Sequence, residues 1–213
     1  ARIQDFLQQS EQAGASLALF PGLCVSEVGD VLPDKIRIWS AKHPRMAVCP
    51  GSAYLERDGR GYHAAALFLA GEELLSQRQI YLSRWERNAG VSRGESVRVC
   101  RVGDMTVAIV LSTDVFYPQV ASAAVEQGAQ LLINPAMNIR SGGAWPYAGM
   151  WQLAQQFHVY AAENPFRGTF FARSFGGEAA VYAPLSATER GDGILAHAQE
   201  GQELLLADCS PEA

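Results

Sequence analysis

The stretch Val107-Ala-Ile-Val-Leu-Ser-Thr-Asp-Val-Phe-Tyr-Pro-Gln119 decides the fold. Five consecutive apolar residues, Val107 to Leu111, predict a strand buried on both faces, because a strand with one wet face alternates apolar with polar residues. Ser112-Thr-Asp114 stands where that strand should emerge. Tyr117-Pro118 then predicts a turn into a helix from about Val120 to Gln127.

Length and composition predict one globular domain covering residues 1–213. The chain has 213 residues, 48% of them hydrophobic and 18% charged, which is enough to bury a large core. A net charge of −5 and a pI near 5.4 indicate no nucleic-acid partner. No apolar run approaches the roughly 20 residues that span a bilayer, so no membrane partner is expected. The amino terminus shows no signal-peptide pattern.

The four cysteines give no sign of a metal or cofactor site. None forms a C-x-x-C pair, and none has a histidine at metal-ligand spacing. Cys49 and Cys100 lie in apolar stretches and are interpreted as reduced core thiols, whereas Cys24 follows a strand end. We therefore expect no metal, no cofactor and a reducing, cytoplasmic location.

Strand-like and helix-like segments alternate along the chain without a linker or repeat. This mixture predicts α+β layers rather than a doubly wound parallel sheet. Helices are predicted at Arg2 to Gly14, Pro33 to His43, Val120 to Gln127 and Trp145 to Phe157. The main strands are predicted at Leu17 to Pro21, Met46 to Pro50, Tyr62 to Leu69, Leu74 to Leu82, Val97 to Val102, Met105 to Leu111, His158 to Ala162, Thr169 to Ser174, Ala180 to Ala183 and Leu204 to Asp208. His63 and His158, in apolar contexts, are expected to be core residues rather than ligands.

Six stretches in the same order resemble motifs of the nitrilase, or carbon–nitrogen hydrolase, superfamily. The opening segment is similar to the family's I-C-Y-D-x-x-F-P-E, with Ser112 at the Cys and Gln119 at the final Glu. The strand around Tyr62 is similar to x-Y-N-T-A-V-V-I, with His63 at the Asn. The other similar stretches are Gly14 to Gly22, Arg78 to Leu82, Gly128 to Ala136 and Gly176 to Pro184. The resemblance implies a four-layer α-β-β-α sandwich that lacks the family's leading strand.

The resemblance also implies a catalytic triad whose positions are all substituted. The family uses a Glu general base, a Lys that stabilises the oxyanion and a Cys nucleophile; these fall on Gly22, Gln79 and Ser112. Glycine cannot accept a proton, and Gln79 is neutral where a cation should meet developing negative charge. A serine hydroxyl needs an adjacent base, which is the residue missing at Gly22. Glu86 sits where the family has a further acidic residue and is expected to remain in the cleft.

Asp114 and Asn138 complete the candidate site. Asp114 is a candidate substrate-binding carboxylate, although a cap of the following helix is the favoured interpretation. Asn138 is expected on the rim of the cleft. A small amide-like or carboxylate compound is the ligand class that the resemblance implies.

Three functional hypotheses follow. The first is a non-catalytic member of the fold acting as a binding, structural or regulatory subunit. The second is a divergent hydrolase of carbon–nitrogen bonds that uses Ser112, Cys24 or Glu86, and the third is an unrelated α/β ligand-binding domain. The resemblance further implies homo-oligomers that pack through the helices at Tyr117 to Glu126 and Trp145 to Phe157.

Overall fold

The computed structural model describes residues 2–24, 31–137, 149–170 and 172–209. It contains two large facing β-sheets, each covered on its outer side by helices, and a small two-stranded sheet. The helices are α1 (Arg2–Gln12), α2 (Val31–Lys42), α3 (Arg84–Asn88), α4 (Pro118–Val125) and α5 (Met150–Phe157). The strands are β1 (Leu17–Leu19), β2 (Ala47–Cys49), β3 (Ser52–Arg57), β4 (Arg60–Leu69), β5 (Glu72–Arg78), β6 (Val99–Val102), β7 (Met105–Ile109), β8 (Leu131–Ala136), β9 (Tyr160–Pro165), β10 (Gly168–Phe170), β11 (Arg173–Phe175), β12 (Ala180–Tyr182) and β13 (Ile194–His197).

The first sheet contains β1 to β5. Its strand order is β1-β2-β4-β3, and β5 also pairs with β4, so the ten-residue β4 is shared among three neighbours. β1 and β2 are parallel, whereas β2, β3 and β5 all run antiparallel to β4. β4 and β5 correspond to the strands predicted at Tyr62 to Leu69 and Leu74 to Leu82, although β5 ends at Arg78.

The second sheet has the order β13-β12-β9-β8-β7-β6. β7, β8 and β9 are parallel, with Ile109 opposite Ile133 and Ile133 opposite Ala162. Antiparallel strands flank them on both sides. The parallel strands require crossover connections, and the described parts of these connections contain α4 and α5.

The core is layered as the α-β-β-α prediction requires. Alternate residues of β7 and β8 point to opposite sides, so one set, including Ile109 and Ile133, meets apolar residues of the first sheet such as Leu67. The other set, including Ala108 and Leu132, packs under α4 and α5. On the far side, α1 and α2 pack on the first sheet through Leu7, Ile36, Met46, Val48 and Phe68. The four-layer prediction is confirmed.

Three local predictions were wrong. Residues 202–209 form no strand, and the segment beside β12 is instead β13, which takes up the antiparallel edge. The predicted strand Thr169 to Ser174 is the hairpin of β10 and β11. His158 is exposed and ends α5 in a left-handed conformation (φ 52°). The apolar run at residues 204–206 predicted a strand, but these residues pair with no strand in the described ranges, and Leu206 is 51% exposed.

Candidate functional site

The three positions at which the family resemblance places the triad each follow the end of a strand. Gly22 lies in the turn after β1, and Gln79 directly follows β5. Ser112 begins a 3₁₀ turn, Ser112–Phe116, three residues after β7. The first two turns belong to the first sheet and the third to the second sheet, so the site lies where the ends of the two sheets meet.

Gln79 is the centre of this region. Its side chain is fully buried. The two hydrogens on its Nε2 are shared among three acceptors: Thr113 Oγ1 (2.6 Å), the Tyr81 carbonyl (2.9 Å) and Glu86 Oε2 (3.1 Å). Its Oε1 lies 2.5 Å from His63 Nδ1, which therefore carries the proton that it donates. Every polar atom of the carboxamide is thus used by neutral or anionic partners inside the protein.

His63 connects Gln79 to the turn at Gly22. The imidazole is completely buried and stacks on Tyr54 with ring centroids 4.6 Å apart. Its Nε2 lies 2.8 Å from Ser52 Oγ, which also accepts a hydrogen bond from the backbone N–H of Leu23 (3.3 Å). A continuous hydrogen-bonded path therefore joins the residue after Gly22, through Gln79, to the residue after Ser112. The prediction of His63 as a satisfied core histidine is confirmed.

Glu86 is a buried carboxylate held in its ionised form. It accepts hydrogen bonds from Tyr54 Oη (2.9 Å), Ser83 N (2.7 Å) and Gln79 Nε2. Burial by itself would raise the pKa of Glu86, but the interactions with His63 and Ser83 outweigh it and lower the pKa to about 2. The same carboxylate, together with burial, raises the pKa of the Tyr54 hydroxyl. In the described ranges no lysine or arginine side chain pairs with Glu86.

Ser112 has a strained backbone but no base. Its φ is 54°, in the left-handed region that residues other than glycine rarely adopt, and its backbone N–H donates to Asn134 Oδ1 (3.1 Å). Such outliers cluster at functional sites. Within the described part of the chain, however, no side chain is hydrogen-bonded to Ser112 Oγ.

The carboxylate of Asp114 has a structural role, because it binds backbone N–H groups. Both oxygens of its fully buried carboxylate accept from the backbone N–H of Ile80, and one also accepts from that of Tyr81. Burial raises the pKa of Asp114 to about 6, and the two backbone donors oppose that rise. The favoured interpretation as a cap of α4 was wrong, because the N-cap residue Tyr117 makes no side-chain cap and Asp114 instead fixes the segment after Gln79.

Gly22 has no room for a side chain. A Cβ placed on it would lie 2.5 Å from the Ala136 carbonyl oxygen and 3.0 Å from Met137 Cγ. Any glutamate at this position would therefore have to displace the end of β8. Neighbouring Cys24 is half-buried, and burial raises the pKa of its thiol, which disfavours the reactive thiolate. Asn138 lies outside the described residues.

Sequence reasoning missed the residues that link these positions. Ser52, Tyr54, Thr113 and Asn134 make contacts that depend on two sheets meeting, and no local pattern marks them. The one available signal was His63, because the resemblance places it at an asparagine of the family motif.

Comparisons with known proteins agree with this architecture. No protein-family model matches the chain. A probable hydrolase, YhcX of Bacillus subtilis (strain 168), is 27% identical over 118 residues, 54% of this chain but only 23% of that protein. The structure of the NitN amidase from Nesterenkonia sp. AN1 superposes with a TM-score of 0.81 at 21% identity. The superposition covers 99% of this chain and 86% of the amidase. A cysteine-to-serine variant of the Nesterenkonia AN1 amidase, from the nitrilase superfamily, superposes with a TM-score of 0.81 at 22% identity. The superposition covers 98% of this chain and 83% of the amidase.

The chain has the fold of nitrilase-superfamily amidases. The hypothesis of an unrelated α/β ligand-binding domain is therefore not supported. None of the helices in the described ranges has the length and apolar character needed to cross a bilayer.

The crowding at Gly22 gives a first prediction. Gly22→Ala is expected to lower the free energy of unfolding by about 1–3 kcal/mol, because the added methyl group meets the Ala136 carbonyl. Gly61→Ala is the matched control, since a Cβ there meets nothing within 4 Å and neither glycine has a positive φ. Urea denaturation of the two variants would measure the contrast, and equal stability of both would contradict the packing described.

The ionised Glu86 gives a prediction about acid stability. Its pKa is lowered in the folded state, so its contribution is present above the ordinary value of 4.5 and is lost as the pH falls toward about 2. Glu86→Gln should therefore be less stable than the wild type at pH 7 by on the order of 3 kcal/mol, with the difference shrinking below pH 4.5. The charge of Glu86 is one of the causes that raise the pKa of Asp114, so its removal relieves Asp114 and offsets part of this difference at pH 7. Melting temperatures from pH 7 to pH 2 would test this, and a gap that is independent of pH would contradict it.

Proposed function

We propose that this chain is a carbon–nitrogen hydrolase-fold protein that has lost the cysteine chemistry of that fold and acts as a binding, structural or regulatory subunit. The observation that carries the proposal is the complete use of Gln79 by neighbouring side chains. A neutral, fully hydrogen-bonded carboxamide cannot offer a positive charge to an oxyanion. We place this role in the cytoplasm, because all four cysteines are free thiols, and we expect neither nucleic acid nor membranes as partners.

Under this proposal, each step of acyl transfer lacks the catalytic group that it needs. Ser112 Oγ has no hydrogen-bonded base among the described residues, and Gly22 has no space for one. Losing members of a catalytic unit costs on the order of 10⁴ to 10⁶ in turnover, and the losses are not additive. Simple amides and nitriles are therefore expected to remain intact.

A small neutral amide is the ligand that fits this site best. The Nesterenkonia amidase, which shares the fold, has been solved in complex with acrylamide. In the present chain Glu86 is an ionised, buried carboxylate, which disfavours a second carboxylate nearby. Between the two ligand classes implied by the family resemblance, the charge at the site thus favours the amide. Asn138 stays a candidate for the rim of the cleft, whereas the buried carboxylate of Asp114 is occupied by the backbone N–H groups of Ile80 and Tyr81.

We also propose that the protein forms homo-oligomers through the layer of α4 and α5. A groove of about 580 Å³ runs between them, lined in part by Phe116, Pro118 and Trp151. Phe116 is 64% exposed and Tyr117 is 36% exposed, which is unusual for large apolar and aromatic side chains. A second copy of the chain would cover them. The predicted contact residues 145–148 lie outside the described ranges.

A divergent hydrolase that uses Ser112 is the second candidate. The positive φ of Ser112 favours it, because backbone strain is retained where the surrounding structure holds a residue for a purpose. The absence of a hydrogen-bonded base weighs against it.

Hydrolysis assays distinguish the two candidates. The purified protein, incubated with acetamide, acrylamide and acetonitrile, is expected to release no ammonia above a buffer blank, while a nitrilase-superfamily amidase does so in the same assay. The matched variants are Ser112→Ala and Ser112→Cys. Ammonia release by the wild type that Ser112→Ala abolishes would overturn the proposal and establish the divergent hydrolase.

The coupling between Gln79 and His63 gives a further prediction. A lysine at position 79 could not accept the proton on His63 Nδ1, and its ammonium group would lie against the N–H of the imidazole. Gln79→Lys is therefore expected to destabilise the fold, and His63→Asn to recover part of the loss, because an asparagine oxygen can accept from the ammonium. Denaturation of the two single variants and the double variant should give a favourable coupling energy of about 1–3 kcal/mol. Additive effects would show that the two positions are independent.

A further inference from the structure

We propose that Ser52 and His63 form a nucleophile–base pair, with Gln79 and Glu86 as positioning residues, that takes up an acyl group from neutral, apolar esters or amides. This site is separate from the one at Ser112 and goes beyond the proposed function. It rests on the arrangement of four buried side chains, those of Ser52, His63, Gln79 and Glu86.

The geometry matches that of an activated serine. Ser52 Oγ lies 2.8 Å from His63 Nε2, within reach for proton transfer. The opposite ring nitrogen, Nδ1, donates to Gln79 Oε1, which fixes the tautomer that leaves Nε2 free to accept. Glu86 Oε1 lies 3.4 Å from Nδ1 and supplies the negative charge that stabilises an imidazolium. Serine, imidazole, and a group that orients the imidazole are the parts that define such a catalytic unit.

Ser112 provides the internal contrast. Both serines lie next to the same network, but only Ser52 is hydrogen-bonded to a nitrogen base in the described part of the chain. General-base assistance is worth about 10² to 10⁴ in rate. If either serine is nucleophilic, the structure therefore assigns that reactivity to Ser52.

The cover over Ser52 is a strained turn. Ser52 is 1% exposed, and the backbone N–H of Leu23 rests on its Oγ. Leu23 has a φ of 54°, a left-handed conformation that is strained for a bulky residue. Because this turn contacts Ser52 Oγ, the proposal requires residues 22–24 to move for an acyl group to reach Ser52, and relief of the strain offsets part of the cost of moving them.

The surroundings define the substrate class. Leu23 packs with Met137 and Phe175, and Tyr54, Trp85, Phe166 and Phe170 surround this cluster. This apolar wall favours an apolar acyl group, and the ionised Glu86 disfavours an anionic one. In the reaction, a bond forms from Ser52 Oγ to the acyl carbon, and the serine proton passes to His63 Nε2. The carbon–oxygen or carbon–nitrogen bond then breaks, and the leaving group takes that proton.

A neutral alkyl fluorophosphonate tests the pair directly. Attack by Ser52 forms an oxygen–phosphorus bond and expels fluoride, so the protein gains the mass of the reagent less HF. We expect a single adduct on the wild type, mapped by peptide mass spectrometry to Ser52. Ser52→Ala should abolish it, His63→Asn should slow it at least 100-fold, and Ser76→Ala, at an exposed serine of β5, should leave it unchanged.

The mapping on the wild type does not depend on any variant folding, and melting temperatures check the variants. An adduct at Ser112 or elsewhere would overturn the inference. So would no adduct under conditions that label a known serine hydrolase completely. Ammonia release that depends on Ser112 would instead overturn the proposed function, so the two failures are distinguishable.

Discussion

The buried carboxamide of Gln79 is the interaction on which the arrangement of the site depends. It stands at the end of a strand of the first sheet, and its nitrogen reaches Thr113, in the turn that follows β7 of the second sheet. The same group orients His63 and contacts Glu86. Apolar packing between the sheets is non-directional. Hydrogen bonds such as these are directional, and they fix how the ends of the two sheets sit relative to each other.

The electrostatics of the region follow from that neutral centre. An ionised carboxylate inside a protein is costly unless it is paired or hydrogen-bonded. Glu86 is stabilised by hydroxyl, amide and backbone donors rather than by an ammonium group. These dipoles satisfy the carboxylate from within the protein, so the region needs no bound ligand to balance its charge.

The sequence predicted the fold well because its strongest signals were local. The unbroken apolar run before Ser112 can only be a strand buried on both faces, and the order of hairpins and βα units defined the layers. Prediction failed where the outcome depended on partners: β13 took the edge beside β12, so the apolar run after it stayed outside the sheet. At the site, Gly22, Gln79 and Ser112 were visible in the sequence as the positions where the family resemblance places its triad. The closeness of the Ala136 carbonyl to Gly22, and the ring of donors around Gln79, were not, because both arise from the meeting of distant segments.

The tight packing at Gly22 limits which substitutions the site can accept. The Ala136 carbonyl lies where a Cβ at position 22 would be placed, and the proton on His63 Nδ1 is accepted by Gln79 Oε1. A carboxylate at position 22 or an ammonium group at position 79 would therefore require neighbouring residues to change at the same time. Single substitutions toward a charged site would pass through less stable proteins, and selection against such intermediates would act as a ratchet that preserves the present arrangement.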